Sequence, residues 1–132
     1  MHHAATRLAD GRALIFGGKK SNVSFLSDLQ IFDPVTGVFD RAGRTFSSRT
    51  VANVVPTVDG GAVVLGGLSC SFDGCDNPVE TFVVAASGDT SDGPDLLHGR
   101  ASASATVLLD GSILVAGGYA SSSVAFVERL AP

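Results

Sequence analysis

The chain has 132 residues, 45% of them hydrophobic and 17% charged, with a mean hydropathy of +0.32; this excludes a disordered segment and leaves room for one ordinary domain. Nine Lys and Arg against thirteen Asp and Glu give a net charge of −4 with no basic cluster, so neither nucleic acid nor an anionic membrane surface is an expected partner. Sixteen glycines and five prolines are spread so evenly that the longest stretch free of both runs only from Lys19 to Asp33, which argues against a helical bundle.

In chain order, His2 and His3 fall on a first strand, where adjacent side chains point to opposite faces and do not chelate one ion. The turn Asp10-Gly11 follows, then an apolar strand from Ala13 to Phe16 that ends in Gly17-Gly18. After a polar loop from Lys19 to Leu26 comes a third strand, Asp28 to Asp33, and beyond Asp33-Pro34 and Thr36-Gly37 a fourth, Val38 to Asp40. Phe25, Leu26, Leu29 and Phe32 also sit at helical spacing, which keeps a short helix within Ser21 to Phe32 as the alternative.

The same order then repeats. Asp59-Gly60 leads into Ala62 to Leu65 and Gly66-Gly67; a turn-rich loop spans Leu68 to Asn77; a third strand covers Val79 to Val84, and Asp89 to Leu97 stands in the place of a fourth. A third round runs through Asp110-Gly111, Ile113 to Ala116, Gly117-Gly118 and Val124 to Glu128. Asp10, Asp59 and Asp110 are separated by 49 and 51 residues, so the period is near fifty. Asp-Gly between apolar runs predicts tight type I′ hairpins, with positive φ at both turn positions. The runs after the turns are continuously apolar, which predicts that both faces of every sheet are covered.

A four-stranded sheet repeated about every fifty residues with both faces covered is the requirement of a β-propeller blade. The three Asp-Gly turns, the three apolar runs ending in double glycine, Arg49 and Arg100 ahead of their units, and the segment Leu29 to Phe39 resemble the kelch-repeat family. The resemblance implies an all-β chain: a kelch-type propeller of about three four-stranded antiparallel blades, at 1–43, 44–97 and 98–132, the last lacking its fourth strand. These form one continuous structural unit. Met1 aligns with Thr50 and Ala101, and the last unit ends after its third strand, so the expected ring is incomplete. An open arc exposes apolar blade faces, which predicts either a fragment of a longer product or a homo-oligomer that completes the ring.

Cys70 and Cys75, five residues apart in a polar turn-rich segment, are either a local disulfide or two free thiols. No metal site is expected: two Cys with no nearby His supply half a structural zinc set, and Asp73, Asp76, Asp89, Asp92 and Asp95 match no EF-hand spacing and read as turn solvation. Gly-x-Ser-x-Gly, Gly-x-Gly-x-x-Gly, P-loop and His-Glu-x-x-His patterns are absent from the sequence, so no catalytic residue and no cofactor is expected. His98 reads as a solvated loop residue. Asn22-Val23-Ser24 is a glycosylation sequon, meaningful only in a secretory context. The sequence shows no signal peptide or transmembrane run, and a start further upstream is compatible with an extracellular protein.

Arg49 and Arg100 recur at one repeat position and are binding candidates, against a structural reading in which each guanidinium bonds to carbonyls of the adjacent blade. The two variable loops place Lys19, Lys20, Ser21, Asn22, Phe72 and Asp73 on one rim as candidate contact residues. Kelch-like propellers serve widely as interaction platforms, so the resemblance implies a binding or protein-interaction module without catalysis of its own, whose ligand, a protein, a small molecule or a carbohydrate, is unknown. It also extends to the propeller of secreted copper-radical oxidases of the galactose- and glyoxal-oxidase type. Their metal site uses two Tyr and two His, whereas Tyr119 is the single tyrosine here, so the chain is at most a scaffold portion of a larger secreted oxidase or carbohydrate-active enzyme of that kind.

Overall fold

The computed structural model describes residues 1–21, 24–42 and 47–131. All regular structure in them is β, and none of their segments is a helix long and apolar enough to cross a membrane. Sheet I has the order β1 (Ala4–Arg7), β2 (Ala13–Phe16), β5 (Leu29–Asp33), β6 (Val38–Arg41); a hairpin of β3 (Lys19–Ser21) and β4 (Ser24–Phe25) interrupts it after the double glycine. Sheet II repeats the pattern with β7 (Asn53–Pro56), β8 (Ala62–Leu65), β11 (Phe82–Val84) and β12 (Thr90–Asp92), interrupted at the same place by β9 (Ser69–Ser71) and β10 (Gly74–Asp76). Sheet III holds β13 (Ser104–Val107), β14 (Ile113–Ala116) and β15 (Val127–Leu130). All strand pairings among the described residues are antiparallel. No helix forms around Phe25 to Phe32, because Ile31 and Leu29 pair with Leu14 and Phe16 and bury their side chains there.

The sheets stack through alternate residues of β8. Ala62 and Val64 join Leu14, Phe16, Leu29 and Ile31 of sheet I, while Val63 and Leu65 join Ile113, Val115 and Leu130 of sheet III. All four β8 residues are buried, which is why that strand is apolar without alternation. Coverage of both faces holds for sheet II only. In sheets I and III the second strand buries every other residue, and Ala13, Ile15, Leu114 and Ala116 stay half-buried. Each flanking sheet has one sheet neighbour among the described residues, and the three do not close a ring.

Three expectations change in detail. The Asp-Gly turns are not type I′, since positive φ falls on Gly11 (91°), Gly60 (92°) and Gly111 (83°) but on none of the aspartates. Instead each loop has three residues: the Leu8 amide donates to the Arg12 carbonyl at 2.8 Å and the Gly11 amide to the Leu8 carbonyl at 3.0 Å, with equivalent pairs at Thr57 and Leu108. Only the last loop residue needs the left-handed region, so glycine is required there, and the aspartate is free to turn its carboxylate onto the loop. The third strand of the last unit lies at Val127–Leu130 rather than Val124 to Glu128, because Ile113 pairs with Leu130 and this places Leu130 in the core and Glu128 beneath Arg100. In the middle unit the third strand shortens to Phe82–Val84, with Thr81 buried and its hydroxyl donating to the Pro94 carbonyl at 2.8 Å. The strand placed within Asp89 to Leu97 is β12.

The carboxylates of the three loops set an acid limit on stability. Asp10 is held below its usual range by the Arg12 amide and then the Arg12 guanidinium, Asp59 by the Thr57 hydroxyl and the Gly61 amide, and Asp110 by the Ser112 hydroxyl and amide. A lowered folded-state pKa contributes stability above the unfolded value near 3.8, which is lost as pH falls through the folded values. Urea midpoints are therefore expected to stay level from pH 7 to 5 and fall below about pH 4. The triple variant Asp10→Asn, Asp59→Asn, Asp110→Asn should flatten that acid decline; an unchanged decline would contradict the assignment.

Candidate functional site

Two hairpins leave the same end of neighbouring sheets. Both follow a double glycine, and both carry predicted rim residues: Lys19, Lys20 and Ser21 on β3, Phe72 and Asp73 at the turn between β9 and β10. Asn22, the remaining candidate, lies outside the described residues. Lys20, Ser21, Phe72 and Asp73 are exposed and Lys19 is half-buried. Phe72 has no cover at all, with a relative exposure of 111%. Polar, turn-rich composition marks these segments as loops; the short cross-strand pairs that make them hairpins carry no clear sequence pattern.

Cys70 and Cys75 face each other across β9 and β10 and are joined by a disulfide. Closing so short a loop is worth at most about 2 kcal/mol in the chain-entropy account, and an exposed hairpin opens without the core. Reduction is thus expected to speed chymotryptic cleavage after Phe72 by about tenfold or more. The global Tm should fall by less than about 8 °C. A fall above about 10 °C would show that the bond holds the core.

Arg49 and Arg100 are 1% and 0% exposed, and their guanidinia are engaged inside the stack. Arg49 donates through Nη1 to the carbonyls of Gly66 at 3.3 Å and Glu80 at 2.8 Å, through Nε to the Ser47 hydroxyl at 3.1 Å, and lies 4.9 Å over the Phe82 ring. Its Nη2 is 3.5 Å from Glu80 Oε2. Burial lowers its pKa, opposed by the Glu80 and Asp76 carboxylates. Arg100 donates through Nη1 to Gly117 at 3.1 Å and Phe126 at 2.9 Å, through Nε to His98 at 3.2 Å, and through Nη2 to Glu128 Oε1 at 2.5 Å. The acceptors belong to the arginine's own sheet, not the adjacent one. What reaches the adjacent sheet is the backbone: the Arg49 carbonyl accepts from the Gly18 amide at 2.9 Å and the Arg100 carbonyl from Gly67 at 2.8 Å.

A second inter-sheet seam was not legible in the sequence. His2, Val51 and Ser102 occupy one repeat position, all with positive φ (61°, 50° and 54°). The Val51 amide donates to the His2 carbonyl and the Ser102 amide to the Val51 carbonyl, each at 3.2 Å. Three unrelated side chains hide the rule, since the neighbouring sheet, not the residue type, imposes the conformation. His2 and His3 precede β1 and are both exposed, and His98 is exposed with its ring 5.0 Å from that of Phe126.

At the opposite end of the stack a mostly apolar cleft of about 190 Å³ opens between sheets II and III, bordered by Val58, Val63, Val83, Pro94, Ile113 and Leu130. It is smaller than a pocket for a drug-sized ligand. Among the described residues no three His, Cys, Asp or Glu converge as a metal cluster. No known family model matches the chain, and no curated protein matches it.

Proposed function

We propose that the chain is an arc of a kelch-type β-propeller, with blades at 1–43, 44–97 and 98–132, that works as a binding module for a protein or carbohydrate without catalysis of its own. The observation that carries this reading is the pair of hairpins rising from equivalent positions of adjacent sheets, one stapled by Cys70–Cys75 and tipped by a fully exposed Phe72. A rigid sheet stack presenting variable loops on one rim is the common build of a recognition surface, and an exposed aromatic on a constrained loop is an efficient anchor. Fifty-residue units of antiparallel strands packed face to face support the propeller reading, and half-covered outer faces on sheets I and III fit an arc extended by further blades or by a second copy.

A photo-crosslinker placed at position 72 is expected to give a discrete adduct in an extract of the source organism, competed by excess unmodified protein. The same group at the equally exposed Leu109, on the opposite rim, should give none. Equal adducts from both positions, or none from position 72, would overturn the rim assignment. Light scattering on the purified chain tests ring completion: a discrete dimer near twice 13.4 kDa supports it, and a stable monomer counts against it. The disulfide, of a kind that persists in oxidising compartments, favours one second reading, a scaffold portion of a larger secreted oxidase.

A further inference from the structure

The chain holds five Asp-Gly bonds, at Asp10-Gly11, Asp59-Gly60, Asp73-Gly74, Asp92-Gly93 and Asp110-Gly111. This dipeptide has a reaction of its own. The glycine amide nitrogen has no side chain to shield it, and the aspartate Cγ is placed to close a five-membered ring on it. The reaction goes where the fold leaves the carboxyl group and the amide free to meet.

Four of the five bonds are held. Asp10 Oδ2 accepts from Arg12 Nε at 2.7 Å and its Oδ1 from the Arg12 amide at 3.0 Å. Asp59 accepts from the Thr57 hydroxyl, and Asp110 from the Ser112 amide at 3.0 Å and hydroxyl at 2.6 Å. Each following amide is also spent inside its loop: Gly11 donates to the Leu8 carbonyl at 3.0 Å, Gly60 to Thr57 at 3.1 Å and Gly111 to Leu108 at 2.9 Å. Asp92 ends β12 opposite Phe82, and the Gly93 amide donates to the Thr81 carbonyl at 3.0 Å. That site is so close that a Cβ on Gly93 would sit 2.4 Å from the Thr81 hydroxyl oxygen.

Asp73-Gly74 lies at the tip of the β9–β10 hairpin, outside both hydrophobic clusters, with both residues exposed. Among the described residues no hydrogen-bond donor or cation reaches the Asp73 carboxylate; the residue is bonded through its amide, which donates to the Ser71 hydroxyl at 3.3 Å. A Cβ on Gly74 would meet nothing within 4 Å. Gly74 faces Ser71 in the pair that closes the hairpin, and exposed strands of three residues open without the core.

We propose that Asp73 is a self-modification site, at which the Asp73-Gly74 bond converts to an isoaspartyl linkage while the other four Asp-Gly bonds stay intact. The Gly74 nitrogen bonds to Asp73 Cγ, its proton passes to solvent, and a carboxyl oxygen leaves as water, which gives a succinimide. Water then adds at the main-chain carbonyl carbon of Asp73 and breaks its bond to the Gly74 nitrogen, so that the chain runs through Cγ. One water leaves and one returns, with no change of mass or oxidation state. The main chain gains one carbon inside the two-residue turn Phe72-Asp73, which shifts the pairing of Ser71 with Gly74 and re-aims the Phe72 ring. The inference stands on the surroundings of the five bonds, not on what Phe72 binds.

The test is incubation of the full chain, disulfide intact, for several weeks at neutral pH, followed by proteolysis and electron-transfer mass spectrometry, which distinguishes isoaspartyl from aspartyl peptides. Position 73 is expected to hold at least about fivefold more isoaspartate than any of the other four. In the chain unfolded in guanidinium chloride the five should agree within about twofold, because each aspartate is then followed by a freely moving glycine. Reduction of Cys70–Cys75 in the folded chain should raise the rate at position 73 by about twofold or more and leave the others unchanged. Agreement of the five positions in the folded chain, a lead for another position, no product at position 73, or a lead for it that persists in guanidinium chloride would overturn the proposal, whatever becomes of the Phe72 rim.

Discussion

Arg100→Met is expected to destabilise the chain by about 3–5 kcal/mol, read as a lower urea midpoint at pH 7 with the slope unchanged. The guanidinium is 0% exposed and the Glu128 carboxylate beneath it 6% exposed, so removing the cation strands an anion in the interior. The Leu97 amide, which donates to Glu128 Oε2 at 2.6 Å, is too little to replace a charge. Two carbonyl acceptors, of Gly117 and Phe126, lose their donor as well. The double variant Arg100→Met, Glu128→Leu is expected to recover most of the loss, because replacing both members of a buried pair by apolar groups is often near neutral. Arg49→Met provides the contrast. Its carboxylate partner Glu80 has a side chain 60% exposed and returns to water, so the cost falls to about 1–3 kcal/mol, from the lost carbonyl bonds and the Phe82 contact. Equal losses at the two arginines would show that the burial of Glu128 is not what matters.

Gly66→Ala should cost about 3–5 kcal/mol, while Gly117→Ala at the equivalent position costs about 1–2. Both glycines have φ of 64°, so the strain of a side chain in the left-handed region is common to the two. The surroundings differ. A Cβ on Gly66 would sit 2.5 Å from the Arg100 carbonyl oxygen, and a Cβ on Gly117 meets nothing within 4 Å. Because that carbonyl is also the acceptor for Gly67, the clash pushes sheet III away from sheet II and breaks the bond that joins them. Gly17 repeats the situation at 2.4 Å from the Arg49 carbonyl, so Gly17→Ala should follow Gly66→Ala. Thermal unfolding of the three variants checks the order. A Gly117→Ala loss as large as that of Gly66→Ala would mean that φ alone, and not sheet contact, explains the double glycine.

These residues mark where the reading of the sequence stops. The period near fifty, the apolar second strands and the glycines were legible because each reflects a local demand: extended backbone, burial, or a left-handed φ. The second, third and fourth strands of unit one follow to within a residue, as do the places where the two hairpins leave the stack, whereas the first strand starts at Ala4, after the two histidines assigned to it. Tertiary structure decided what each feature serves. The aspartates of the Asp-Gly loops bind their own loop instead of taking positive φ, Val127–Leu130 rather than Val124 to Glu128 pairs with β14, and the disulfide joins cysteines whose spacing allowed free thiols equally well. The arginines hold their own sheet with the side chain and the preceding one with the backbone carbonyl. The physical reason is common to all four cases: propensity and periodicity report how one residue treats its chain neighbours, whereas register, burial of charge and the lack of room for a side chain at Gly66 depend on a second sheet that local sequence does not describe.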